Sequence, residues 1–166
     1  MTRAVASPGD VLRILDHVMD PEVPVISVVE LGILRNVTVT GDRVTITITP
    51  TYSGCPAMRV IEDDIRAALA EQGITDVSLE TTYAPAWTTD WIGPEAREKL
   101  RKFGIAPPGA AERGGLVTLA RRRAAVPCPY GGSLDTALRS EFGSTACKAI
   151  HFCNGCRQPF DEFKAF

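Results

Sequence analysis

Four of the chain's five cysteines, Cys128, Cys147, Cys153 and Cys156, fall within its last 39 residues. Cys153-Asn154-Gly155-Cys156 is a C-x2-C pair, and one tight turn in such a pair puts two sulfurs on one tetrahedral ion. Cys128-Pro129-Tyr130 opens like a second knuckle, but residue 131 is glycine where the next cysteine would stand. In a cytosolic chain this clustering points to metal more than to disulfides. The fifth cysteine sits apart, in Gly54-Cys55-Pro56. A strand pattern runs into that turn and a helix pattern runs out of it. Unpaired amides and the positive dipole end at a helix start favour a thiolate. Cys55 is therefore either a reactive or metal-binding thiol or a small buried hydrophobe at a helix start.

Several elements must position these groups. Ser7-Pro8-Gly9-Asp10 is a helix start, with a capping serine, proline at the first position and an acid three residues after the serine. Val11, Ile14, Leu15 and Val18 form its stripe, and the prolines of Asp20-Pro21-Glu22-Val23-Pro24 stop it. Asp20 and Glu22 are then loop carboxylates, for which turn chemistry is the plain reading. An apolar stretch from Val25 to Leu34 surrounds Glu30. Val37 and Val39, then Val44, Ile46 and Ile48, alternate with threonines around Gly41-Asp42, as in a β-hairpin. Pro56 suits the first position of a helix carrying Ala57, Val60, Ile61, Ile65, Ala68 and Leu69 on one face. Gly73 closes that helix. Val77, Leu79, Thr81 and Tyr83 give a third strand. Trp87 and Trp91 lie in the loop beyond and pack it on the core. A third helix runs from Pro94 to Phe103 and stops at Gly104. The order predicts an α/β (α+β) fold, a small mixed sheet with helices packed on it, followed by the Cys-rich tail. Pro107-Pro108-Gly109 starts a linker. The expected division is residues 1–107, a linker over 108–126, and a tail over 127–166.

Net charge is −2 but uneven. Through Pro108 there are ten basic and fifteen acidic residues; from Gly109 onward there are eight and five. An acidic body with a mildly basic tail suits protein contacts and argues against nucleic acid. Arg121-Arg122-Arg123 reads as a solvated face. No apolar run approaches the ~20 residues that span a bilayer. The first nine residues lack the apolar run of a signal peptide. A cytoplasmic protein without membrane contacts is the expectation.

Asp20-Pro21-Glu22, Val29-Glu30-Leu31-Gly32, Thr51-Tyr52-Ser53-Gly54-Cys55-Pro56 and Pro85-Ala86-Trp87 together resemble the metal-sulfur cluster assembly domain family. The match runs in order over residues 8–100, with Glu30 where many members carry aspartate. The resemblance implies a carrier or scaffold role in maturing iron-sulfur proteins. It makes Cys55 the signature cysteine and places Asp20 and Glu22 in the acidic motif. Carboxylates beside Cys55 would raise the thiol pKa and handicap a bare nucleophile. A metal ion would gain from the same arrangement, being shared by sulfur and oxygen. The expectation is a transient iron ion or iron-sulfur cluster at Cys55, tuned by Asp20, Glu22 and Glu30.

Cys128-Pro129-Tyr130-Gly131-Gly132-Ser133, Phe142-Gly143-Ser144-Thr145-Ala146-Cys147-Lys148, Cys153-Asn154-Gly155-Cys156 and Pro159-Phe160-Asp161-Glu162-Phe163-Lys164 extend the resemblance nearly end to end. The chain resembles the D-type (J-type) subunits of phenylacetyl-CoA epoxidase, which join the cluster-assembly domain to a zinc-ribbon-like tail. Gly131 departs from that pattern, and so does the end, Lys164-Ala165-Phe166, which lacks a His or Cys. The tail site is expected at Cys128, Cys153 and Cys156, holding zinc in an incomplete set. Residues 134–141 and 146–152 form a hairpin turning at Gly143-Ser144. On an extended strand Cys147 lies ~20 Å from Cys153, too far to share an ion. His151 is nearer and on the same strand face, as a fourth ligand or an incidental surface histidine; water or no ligand are the other choices.

The resemblance implies an accessory component of aerobic phenylacetate degradation with no reaction of its own. It would assist assembly of the diiron or [2Fe-2S] centre of the oxygenase, with the other oxygenase subunits as partners and homo-oligomerisation left open. The alternative is a non-catalytic structural or docking subunit. A thiol-redox enzyme is disfavoured, since no resolving cysteine neighbours Cys55 in sequence.

Overall fold

The computed structural model describes residues 7–110 and 124–166. Arg121-Arg122-Arg123 and most of the expected linker lie outside the described residues. Two compact units emerge, Met1–Trp87 and Thr88–Phe166.

The first unit begins with α1 (Pro8–Leu15). Its capping box is formed: Ser7 Oγ accepts from Asp10 N–H, and the Asp10 carboxylate accepts from Ser7 N–H at 2.8 Å. The Ser7 hydroxyl, donating to Asp10, holds that carboxyl below its usual range. The helix ends earlier than the prolines suggest, with Asp16 as C-cap. The chain instead turns into an isolated bridge between Met19 and Ser27. Val18 stays buried although it is no longer helical. The apolar stretch beyond folds as consecutive turns and buries Val23, Ile26, Val28, Leu31 and Ile33.

β1 (Leu34–Thr40) and β2 (Arg43–Ile48) form the expected antiparallel hairpin, with a register shift between Leu34 and Asn36. Val44, Ile46 and Ile48 are almost wholly buried while the intervening threonines are only partly covered. That is the two-residue period of a sheet with one face on a core. α2 (Ala57–Glu71) crosses over to β3 (Val77–Thr81), which pairs parallel to β2, so the sheet is mixed as predicted. Ala57, Ile61, Ile65 and Leu69 form the buried face of the helix, which contacts α1. Each large aliphatic so buried contributes roughly 1.5–3 kcal/mol before entropy. Val60 is 47% exposed, not on that face. It lies about 100° round the helix from Ile61 and misses the stripe.

The second unit holds a short 3-10 turn (Thr89–Trp91), α3 (Pro94–Lys102), β4 (Ile105–Ala106), β5 (Thr136–Ser140), β6 (Lys148–Cys153) and β7 (Pro159–Phe163). The sheet order is β4-β7-β6-β5, with β4 parallel to β7 and the other pairs antiparallel. The β5–β6 hairpin matches the expected one, and Gly143 N–H donates to Lys148 O at 2.8 Å across its turn. The division falls before α3 and not at 107. Ile105 and Ala106 pair with Asp161 and Glu162, which joins α3 and β4 to the tail. No helix among the described residues is long and apolar enough to cross a membrane.

Candidate metal centre and cysteine turn

Three sulfurs converge in the second unit. Cys128, Cys153 and Cys156 place their Sγ atoms within 4.8 Å of one another. Two hairpin-like knuckles bring them there. In the first, Cys128 N–H donates to Ser133 O at 2.9 Å and Gly132 N–H donates back to Cys128 O at 2.8 Å. Gly132 takes φ +71°, a left-handed conformation that glycine reaches without penalty. The second knuckle connects β6 to β7: Cys153 N–H donates to Gln158 O at 2.9 Å, and Arg157 takes φ +60°. Asn154 fastens it, donating from its backbone to Asp135 O and from Nδ2 to Asp135 Oδ1.

The Cys128 and Cys156 sulfurs are 3.7 Å apart. Two thiolates on one tetrahedral zinc, each at about 2.3 Å, lie about 3.8 Å apart. That pair therefore stands at the spacing such an ion needs. Cys156 N–H donates to Cys153 Sγ at 3.4 Å, and this amide holds the Cys153 thiol below its usual pKa. Desolvation of the Cys156 sulfur, followed by the neighbouring Cys153, pushes that thiol up. Cys128 and Cys153 are buried with Ala106 and Phe160, whereas Cys156 is exposed.

The other tail candidates stand elsewhere. Cys147 is buried, with Sγ 3.1 Å from Thr145 Oγ1, and lies outside the sulfur group. His151 is neither a ligand of this group nor a surface residue. It is 4% exposed, its Nε2 sits 2.7 Å from Glu162 Oε2, and its ring stacks on Phe160 at 5.4 Å. Sequence reasoning missed Glu162 as its partner because the contact joins β6 and β7 diagonally, eleven residues apart.

α3 supports the first knuckle. Arg101 Nη1 donates to Pro129 O at 3.3 Å. Gly104 has φ +88°, and a Cβ there would stand 2.8 Å from Tyr130 Oη. Gly104→Ala is expected to destabilise the second unit by about 1–2 kcal/mol through the left-handed backbone alone. Displacing the Tyr130 hydroxyl adds to that cost. Chemical denaturation checks both parts: in a Tyr130→Ala background the clash vanishes and the backbone share remains.

In the first unit, Cys55 follows Gly54, whose φ is +82° with open space where a Cβ would be. Cys55 is half-buried; its N–H donates to Tyr52 O and its C=O accepts from Met58 N–H, both at 3.3 Å. Pro56 is the N-cap of α2 and not its first residue, so the helix starts one residue later than expected. That end has no side-chain cap and no acid in its first turn. Thr49 Oγ1, at the entry to the loop, is buried without a hydrogen-bond partner among the described residues. Such a hydroxyl costs about 1–3 kcal/mol.

The carboxylates shape turns. Asp20 is 5% exposed, and its Oδ1 accepts from Glu22 N–H and Val23 N–H, both at 2.8 Å. Glu30 Oε2 accepts from Ser27 N–H at 3.0 Å while Ser27 Oγ accepts from Glu30 N–H at 3.1 Å. The S-x-x-E spacing of a capping box could have signalled the second pair. Trp87 is buried, as packing of its loop requires, and donates from Nε1 to Leu31 O at 3.0 Å. Among the described residues, the convergent group of three or more His, Cys, Asp or Glu donors is the tail trio; Cys55, Asp20, Glu22 and Glu30 do not form one.

Fold and site together define a two-module protein, an α/β domain of the cluster-assembly kind joined to a cysteine ribbon. Residues 9–78 match the family described as iron-sulfur cluster assembly protein, and residues 112–164 match the PaaD zinc beta ribbon domain. The chain belongs to the family of D-type subunits of phenylacetyl-CoA epoxidase. It is 46% identical, over 93% of its length and 91% of the relative's, to the Escherichia coli (strain K12) protein provisionally named as the D-type subunit of 1,2-phenylacetyl-CoA epoxidase. A Porphyromonas gingivalis (strain ATCC BAA-308 / W83) protein named as an Fe-S protein maturation auxiliary factor is 39% identical over 55% of this chain and 88% of its own. A solved conserved hypothetical protein of Thermotoga maritima superposes with TM-score 0.51 at 31% identity, covering 60% of this chain and 98% of that one.

Proposed function

We propose that the protein is an accessory subunit of a phenylacetyl-CoA ring-epoxidase system, handling iron or an iron-sulfur cluster while that system's iron-sulfur or diiron centre is assembled. The observation carrying this reading is the union, in one chain, of a cysteine-bearing turn of the cluster-assembly kind with an epoxidase-type tail. Cys55 would hold the cargo. The residue is half-buried, after Gly54 with open space where a Cβ would be, and ahead of a helix start whose amides lack a side-chain cap. Asp20, Glu22 and Glu30 would supply negative charge from the turns they shape. The tail would dock the other oxygenase subunits, with zinc on Cys128, Cys153 and Cys156. Bound there, zinc would tie the two knuckles together as a structural cross-link.

A docking subunit with an inert Cys55 is the second reading. It is favoured by the engagement of Asp20 and Glu30 in turn hydrogen bonds. Cys55→Ala separates the two. The variant is expected to keep its stability within about 1 kcal/mol, since the residue is only half-buried. It should lose iron from anaerobically purified protein and fail to restore oxygenase activity in a strain lacking the protein. Full restoration would leave the docking reading standing.

A further inference from the structure

All five cysteines and both histidines lie among the described residues. Cys55, His17 and Cys147 are not in the sulfur group, and His151 is held by Glu162. No carboxylate among the described residues joins the group either. A zinc-like ion bound by Cys128, Cys153 and Cys156 is thus one ligand short of the four that a closed structural site uses.

The missing corner is Gly131, three residues after Cys128 as Cys156 is three after Cys153. Its backbone is not left-handed, and a Cβ built on it meets nothing within 4 Å. Among the three sulfurs, Cys156 belongs to an exposed residue, and Arg157, next in sequence, is exposed and cationic. The trio thus has an exposed member with a cationic sequence neighbour, and open space at the position where a fourth ligand would stand. A borderline-soft ion already held by sulfur favours another soft donor.

Resting on the zinc reading of the tail, we propose that the metal held by Cys128, Cys153 and Cys156 binds a thiolate from outside the chain at the corner where Gly131 stands. The incoming thiol gives its proton to solvent and displaces the oxygen ligand that otherwise fills the corner, so no electrons are exchanged. Two sources share this chemistry: a small dissolved thiol and a cysteine of a second copy of the chain.

Cobalt tests the proposal, because its visible spectrum counts sulfur ligands. The full chain, kept reduced by a phosphine and loaded with cobalt, is titrated with mercaptoethanol. The sulfur-to-cobalt band should rise and saturate, and the final spectrum should match that of Gly131→Cys without added thiol. Gly131→Cys should not respond, whereas Gly131→Ala, which adds a Cβ and no donor, should respond like the wild type. Apparent cobalt affinity should tighten about tenfold when the thiol stands at ten times its own dissociation constant. In a second arm without thiol, a band that grows with protein concentration and accompanies a doubled mass assigns the ligand to a second copy. A cobalt-loaded wild type that is silent in both arms yet differs from Gly131→Cys overturns the proposal. An equal thiol response in Gly131→Cys overturns it too. If neither wild type nor Gly131→Cys takes up cobalt, the metal reading of the tail fails and the proposal falls with it.

Discussion

Cys153→Ala is expected to unfold the β4–β7 sheet of the second unit and leave the first unit intact. Cys153 is fully buried with Ala106, Cys128 and Phe160, and its sulfur accepts the Cys156 amide. Were it only a small core residue, losing the sulfur would cost about 1 kcal/mol, as for an ordinary small cavity. As a ligand it carries much more. Zinc binding in small metallo-domains is worth an apparent ~10–16 kcal/mol, and that binding energy is folding energy. A sheet with strands of two to six residues has no comparable reserve. Hydrogen exchange on zinc-loaded protein reads the outcome strand by strand. The wild type should show protected amides in β5, β6 and β7. The variant, and the wild type treated with a chelator, should lose that protection together. A loss of about 1 kcal/mol that is the same with and without chelator would make Cys153 a packing residue and remove the metal from the tail.

The parts of the fold that were legible in the sequence are those written in local periods. Ser7 and Asp10 announce α1, the threonine alternation announces β1 and β2, and Gly73 and Gly104, both left-handed, close α2 and α3. Long-range pairing is what escaped. α1 stops at Leu15, and four residues on Met19 bridges Ser27, a contact no local pattern encodes. The proline-rich stretch at 107 looks like a boundary, yet β4 pairs with β7 across more than fifty residues, so α3 belongs to the second unit. The site divides the same way. The C-x2-C spacing and a lone Cys128 were enough to name the trio, since short knuckles fix their own sulfurs. Asp20 and Glu30 read as candidates for cation tuning because a sequence shows carboxylates but not the backbone amides they face. In the structure both accept backbone amides of their own turns.

His151 and Glu162 form a pair that decides its own charge state by the size of its loss. Their side chains are 5% and 13% exposed, and the imidazole Nε2 lies 2.7 Å from the carboxylate. Glu162→Leu strands the ring in the sheet. If the pair is ionic, removing one partner leaves an uncompensated buried charge and costs about 3–5 kcal/mol. If it is a neutral hydrogen bond, the stranded group costs about 1–3 kcal/mol. Either way His151→Phe combined with Glu162→Leu is expected to recover most of the loss. The double change leaves no unpaired polar atom and keeps an aromatic ring against Phe160, on which His151 now stacks at 5.4 Å. Urea midpoints of the four proteins in this cycle supply the coupling energy. Additive single losses would show that the two side chains do not act as a pair. Metal content of His151→Phe makes the second check. It should equal that of the wild type, because the imidazole is committed to Glu162 and lies outside the sulfur group. A His151→Phe protein that folds but sheds its metal would instead make the histidine the fourth ligand, and the corner at Gly131 would no longer be open.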